Sequence, residues 1–206
     1  MVARIFIAIL VAGVVGAISG QSQRRAFEWD RVKAIYAFGD SYSFVGGLRG
    51  YPKFTFIGDE INFAFTPEEL LTNTILPNVT SSGGNNWLQF LTGCYQGSPF
   101  DCPKQLWDFA FAGADIDVKQ LPLHANFVTS LVRQVEQFLA YADPVLPKQQ
   151  PDESLIVWWI GINDVSDVVN NRTITDFPAF WDPRWNRSLV QSTRCRQQSN
   201  LLHTCF

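Results

Sequence analysis

The sequence predicts an α/β fold, a three-layer α/β/α sandwich built around a parallel sheet. Three observations predict it. Apolar runs at Val32–Phe38, Leu106–Phe111 and Ser154–Ile160 read as short strands buried on both faces. Between the second and third runs, Phe127, Leu131, Val135, Phe138 and Leu139 fall at helical spacing, the pattern of a helix laid on a sheet. Each strand run closes on a glycine and polar groups: Gly39-Asp40-Ser41, Gly113-Ala114-Asp115 and Gly161-Ile162-Asn163-Asp164. Strands that alternate with helices form parallel sheets, and such sheets keep their ligands at the rim formed by the C-terminal strand ends.

Taken in order, residues 1–20 read as a secretory signal peptide. Arg4 supplies the positive start, and Ile5–Ile18 the apolar stretch. Ala17, Ser19 and Gly20 are the small residues before cleavage. The apolar stretch is shorter than the roughly 20 residues of a membrane-spanning helix. Residues 32–181 then form the single domain, preceded by a polar lead, Gln21–Arg31. Tyr42–Asn86 is a long segment rich in Gly, Pro, Asn and Thr that follows Ser41 and is expected to wall a ligand site. Within it, Pro67–Leu71 reads as a helix capped by Thr66, with Glu68 and Glu69 in its first turn. Asn86–Leu91 reads as a second helix with Asn86 as its cap, Asn126–Tyr141 as a third, and Asp143–Glu153 as a connector. Residues 182–206 carry no periodic pattern and read as an aberrant tail. A doubly wound sheet should continue with further strand–helix units after Gly161, so the domain is expected to be incomplete at its C-terminal end.

Composition narrows the function classes. The chain has 16 Lys and Arg against 19 Asp and Glu, with no basic patch, which argues against a nucleic-acid partner. No other stretch could span a bilayer, and a secreted monomer is expected. Four cysteines suit an oxidising compartment, and Cys94 and Cys102 lie close enough within a Gly/Pro loop to pair; the pairing of Cys195 and Cys205 is left open. With no CxxC and only two histidines, a metal site has little support. Asn78 and Asn171 open sequons and are expected to carry glycans, with Asn186 a weaker third.

The three rim turns carry the chemistry. Ser41 offers a hydroxyl that can attack a carbonyl. The backbone N–H groups of Ser41 and Gly113 and the side-chain amide of Asn163 are donors of the kind that stabilise a tetrahedral oxyanion. Gly39, Asp40 and Gly161 shape the turns. The Gly39-Asp40-Ser41 triplet and the Gly161-Ile162-Asn163-Asp164 block, in order and each directly after a buried strand, arise together by chance on the order of once in a thousand chains of this size.

The residues Phe38-Gly39-Asp40-Ser41-Tyr42-Ser43, Gly83-Gly84-Asn85-Asn86-Trp87, Trp107-Asp108-Phe109-Ala110-Phe111-Ala112-Gly113-Ala114 and Gly161-Ile162-Asn163-Asp164 resemble the SGNH-hydrolase superfamily of GDSL esterases. More closely, they resemble secreted fungal acetyl esterases of carbohydrate esterase family sixteen. The resemblance implies a flavodoxin-like sandwich, Ser41 as nucleophile, and an oxyanion hole of Ser41, Gly113 and Asn163. It implies release of acetyl groups from a small acetylated sugar, such as a hemicellulose oligosaccharide, without metal or cofactor. A lipase- or phospholipase-type acylhydrolase is the alternative within enzymes.

The sequence departs from that family in one respect. The family's late Asp-x-x-His block, which supplies the base, does not occur here. His124 reads as a loop residue, and His203 stands three residues from the end in Asn200-Leu201-Leu202-His203. A carbohydrate-binding pseudoenzyme is therefore the alternative outside catalysis. Trp87, Trp107, Trp158, Trp159 and Trp181 serve either the core or sugar stacking.

Overall fold

A computed structural model describes residues 27–169, 174–183, 186 and 190. The signal peptide, Asn171, Cys195, His203 and Cys205 lie outside the described residues. Among the described residues the strands and α-helices, in chain order, are β1 (Ala34–Gly39), β2 (Arg49–Gly50), β3 (Ile57–Gly58), α1 (Pro67–Leu71), α2 (Trp87–Thr92), β4 (Gln105–Asp108), α3 (Leu131–Gln137), β5 (Ser154–Trp159) and α4 (Ile162–Val169).

The main sheet is parallel with strand order β4-β1-β5, so β1 is central. All six β1 residues are buried, as a strand covered on both faces requires. The chain passes from β1 to β4 through α2, then back across β1 to β5 through α3. Right-handed crossovers in opposite directions along a sheet place their helices on opposite faces, giving the three-layer α/β/α arrangement. The core centres on Phe38, which stacks on Phe109 at 5.5 Å and meets Phe138 edge-on at 5.5 Å. Trp107 is fully buried, so it belongs to the core.

Local sequence accounts for the short helices. Thr66 caps α1 through a reciprocal pair, Glu69 N to Thr66 Oγ1 at 3.1 Å and Thr66 N to Glu69 Oε2 at 2.7 Å. Asn86 caps α2 in the same way with Gln89, and Gly93 ends α2 in the left-handed conformation at φ 72°.

Most boundaries fall within one or two residues of those the sequence predicts. The larger differences are at the end of the second strand and at both ends of the third helix, where α3 stops at Gln137 and passes into a π-helical turn over Phe138–Ala142. The second strand ends at Asp108, not Phe111, because the Asp108 carboxylate turns inward and takes the Ala110 amide at 3.0 Å. The segment still runs beside β1, with the Phe109 amide on Ala37 O (2.8 Å) and the Phe111 amide on Gly39 O (3.0 Å). The third helix begins at Leu131, not Asn126. Its first amides are satisfied from a distance, Leu131 N on Asp115 O (2.9 Å) and Val132 N on Ile116 O (3.1 Å), and that docking fixes where the helix starts.

The long segment after Ser41 packs onto the loop after β4. Tyr51 stacks on Phe127 at 4.1 Å with a 4° tilt, and the Ala112 amide reaches Phe54 O at 2.8 Å. Cys94 and Cys102 are joined by a disulfide between α2 and β4, with a sequence separation of 8. Opening this small loop with Cys102→Ser is expected to lower stability by about 2–3 kcal/mol, read as a lower urea midpoint at unchanged slope.

Candidate functional site

The rim is assembled from β1 outward. At Gly39 the backbone takes φ 144°, and a Cβ there would stand 2.1 Å from the Trp159 carbonyl oxygen. Only glycine lets β5 approach this closely. The next amide, Asp40 N, donates to that same Trp159 oxygen at 3.1 Å. Asp40 O then accepts the amides of Ser43 (3.0 Å) and Phe44 (3.1 Å), folding residues 41–43 into a turn. Ser41 is half-buried on this turn and is followed by exposed Tyr42.

Side chains remote in sequence fix the turn. Asn86, the α2 cap, donates from Nδ2 to Ser43 O (2.6 Å) and Phe44 O (3.0 Å). Buried Asp108 accepts Val45 N at 2.6 Å. Gln134 on α3, wholly buried, accepts Gly39 N at 2.9 Å and donates to Gly39 O at 2.8 Å and Thr129 O at 3.0 Å. Neither Gln134 nor Asp108 announces this role in the sequence, because nothing local distinguishes a clamp from an ordinary helix or strand-end polar residue.

The other two turns meet beside the first. Gly113 takes φ 86° and is half-buried, with its Cβ direction open except for Val128 at 3.8 Å. Asn163 stands in the first turn of α4 and donates from Nδ2 to Ala114 O at 2.8 Å, and Asp164 accepts Ile116 N at 3.2 Å through either oxygen. The Gly113 turn and the Gly161–Asp164 turn are thus bonded to one another, and Gly39 and Trp159 are register partners in the sheet.

Carboxylates crowd behind this rim. Burial pushes the Asp40 carboxyl up to about 6; Asp164 pushes the same way, and the Tyr42 and Ile162 amides oppose. Burial likewise holds Asp108 well above the usual range, against the Ala110 and Val45 amides. Burial and the charge of Asp164 raise Asp115 to about 7. His124 lies in a loop, as its sequence context predicts, but it is partnered: its Nε2 stands 2.9 Å from Asp167 Oδ2 and 3.5 Å from Asp115 Oδ2.

Comparison with known proteins bears on this arrangement at one point. The chain is similar to an acetylesterase from Thermothelomyces thermophilus. The two are 33% identical over 162 residues, which is 77% of this chain and 45% of the relative. The chain therefore spans less than half the length of that protein. No family model and no solved structure matches the chain. The likeness supports an ester-hydrolysing lineage and leaves substrate and mechanism to be argued from the site.

Replacing Gln134 with Leu strands the Gly39 amide in the core and is expected to cost about 2 kcal/mol in denaturant unfolding. A second expectation concerns pH. The folded chain holds the Asp40 proton more tightly than the unfolded chain, so the stability this proton contributes is full below about 3.8 and is lost as pH rises to about 6. Asp40→Asn stays neutral, so its melting temperature should gain on the parent's as pH is raised across that window.

Proposed function

We propose that the protein is a serine esterase of the GDSL type that removes O-acetyl groups from plant cell-wall carbohydrate. One observation carries the reading: three strand-end turns bearing Ser41, Gly113 and Asn163 are bonded into a single rim, through Asn163 Nδ2 on Ala114 O at 2.8 Å and Asp40 N on Trp159 O at 3.1 Å. In this reading the Ser41 oxygen attacks the acetyl carbon, and the carbonyl oxygen gathers negative charge. The Ser41 and Gly113 amides and the second N–H of the Asn163 side chain, left over from its bond to Ala114, meet that charge. Collapse of the tetrahedral species expels the sugar oxygen, which takes up through solvent the proton that Ser41 gave up on attack. Water then adds to the acetyl carbon, releasing acetic acid and restoring the Ser41 hydroxyl.

Aromatic residues beside Ser41 support a carbohydrate. Exposed Tyr42 stacks with exposed Trp159 at 6.0 Å, and Trp87 lies 6.1 Å from Trp159. Trp87 and Trp159 also border an apolar cleft of about 410 Å³ that runs along β5 past Val157 and Leu155 to Trp29 and is not lined by Ser41 itself. Flat aromatic faces suit the C–H faces of sugar rings. The same reading makes the protein secreted and monomeric, with residues 1–20 removed and glycans on Asn78 and Asn171. Asn78 is exposed, at a backbone φ of 60°. Among the described residues no helix is long and apolar enough to cross a membrane.

The base is the open element, since no Asp-x-x-His occurs among the 206 residues. This favours a second reading, a cleft that binds acetylated sugar and turns it over only slowly. Imidazole supplied in solution tests the first reading. It is expected to raise hydrolysis of p-nitrophenyl acetate by the purified chain above the imidazole-only rate. Ser41→Ala should abolish that increment, and an increment that survives overturns the serine mechanism. Asn163→Ala should lower the increment by about a hundredfold or more. Trp159→Ala should weaken binding of acetylated xylo-oligosaccharide in calorimetry while leaving p-nitrophenyl acetate turnover within about twofold.

A further inference from the structure

Asp115 and His124 come from the connection between β4 and α3 and Asp167 from α4, and their ligating atoms all lie within 4.8 Å of one another. The two contacts made by His124 Nε2 measure 2.9 Å to Asp167 Oδ2 and 3.5 Å to Asp115 Oδ2. Ligands about 2.0–2.1 Å from a tetrahedral cation stand roughly 3.4 Å apart, so the set is near the spacing that an ion imposes.

A second, independent observation concerns Asp115 itself. It is wholly buried, and neither carboxylate oxygen accepts a hydrogen bond. Asp40 and Asp108, equally buried, each take backbone amides. Buried carboxylates are ordinarily paired, hydrogen-bonded or bound to metal. The charges of Asp40, Asp164 and Asp167 all act against that of Asp115, and His124 offsets them. The opposite side of the cluster is open: the His124 side chain is 34% exposed and that of Asp167 29%, which leaves an entry path and room for water as a further ligand.

We infer that Asp115, His124 and Asp167 form a binding site for a divalent transition-metal cation of the zinc or manganese kind. One imidazole nitrogen and two carboxylates suit these ions, whereas magnesium and calcium favour all-oxygen sets. This runs against the scarcity of histidine and cysteine ligands in the sequence, because the three residues are brought together only by the fold. The cation ties the loop that begins at Gly113 to α4, where Asn163 already bonds Ala114 O. It holds those two elements in place and takes no part in bond making, so the site stands whether or not Ser41 is a nucleophile.

The test uses the full chain stripped with EDTA and titrated with Zn²⁺ and with Mn²⁺, followed by calorimetry and thermal melting. One equivalent of ion is expected to bind, Zn²⁺ more tightly than Mn²⁺, with a melting temperature that climbs with ion concentration. His124→Gln and Asp167→Asn are each expected to weaken binding tenfold or more, with circular dichroism of the ion-free variants unchanged. A Cys195→Ser, His203→Gln, Cys205→Ser variant should keep the bound equivalent. If the stripped chain takes up neither ion at millimolar concentration, the contacts are an ordinary imidazole–carboxylate pair and the inference fails. It fails equally if binding survives intact in both His124→Gln and Asp167→Asn, or disappears in the triple variant.

Discussion

Gly39 is held on every side, and the geometry of the rim descends from that. Its carbonyl accepts from Phe111 N and from Gln134 Nε2, its own N–H goes to Gln134 Oε1, and the following amide closes on Trp159 O. These bonds fix the end of the central strand against both neighbouring strands at once. The turn that carries Ser41, the turn that carries Gly113 and the start of α4 therefore have no independent freedom to drift apart. Backbone hydrogen bonds made in a dry interior are individually modest in net terms, but each is costly to leave unmade, so the arrangement is self-enforcing.

The electrostatic character of the rim has the opposite sense. Asp40, Asp108 and Asp115 are buried carboxyls, each held above its ordinary range chiefly by loss of water. Backbone amides from Tyr42, Val45 and Ala110 recover part of that cost for two of them, and the Ile116 amide does the same for Asp164. A fold that sought stability alone would not gather acids here. Their concentration at one end of the sheet, where β1 and β4 run out, is the pattern expected where a protein handles charge.

The sequence was most legible where the determining interaction is local. Thr66 and Glu69, or Asn86 and Gln89, are three residues apart and fix α1 and α2 by capping pairs that can be read directly. The three strand-end glycines were legible for the same reason, since each sits beside its own polar turn. Legibility failed where the deciding partner is distant. The start of α3 depends on carbonyls at Asp115 and Ile116, and the role of Gln134 on a glycine 95 positions away. The meeting of Asp115, His124 and Asp167 likewise follows only from how the β4 loop docks on α4, which no spacing in the chain reveals.

Asn86 does two jobs with one side chain. Its oxygen holds the Leu88 and Gln89 amides at the head of α2, and its nitrogen grips Ser43 O and Phe44 O. Fraying of that helix end and slackening of the serine turn are therefore one motion. In a hydrogen-exchange experiment the two segments would surrender their protons together, as a single opening unit, even though some forty residues of chain lie between them.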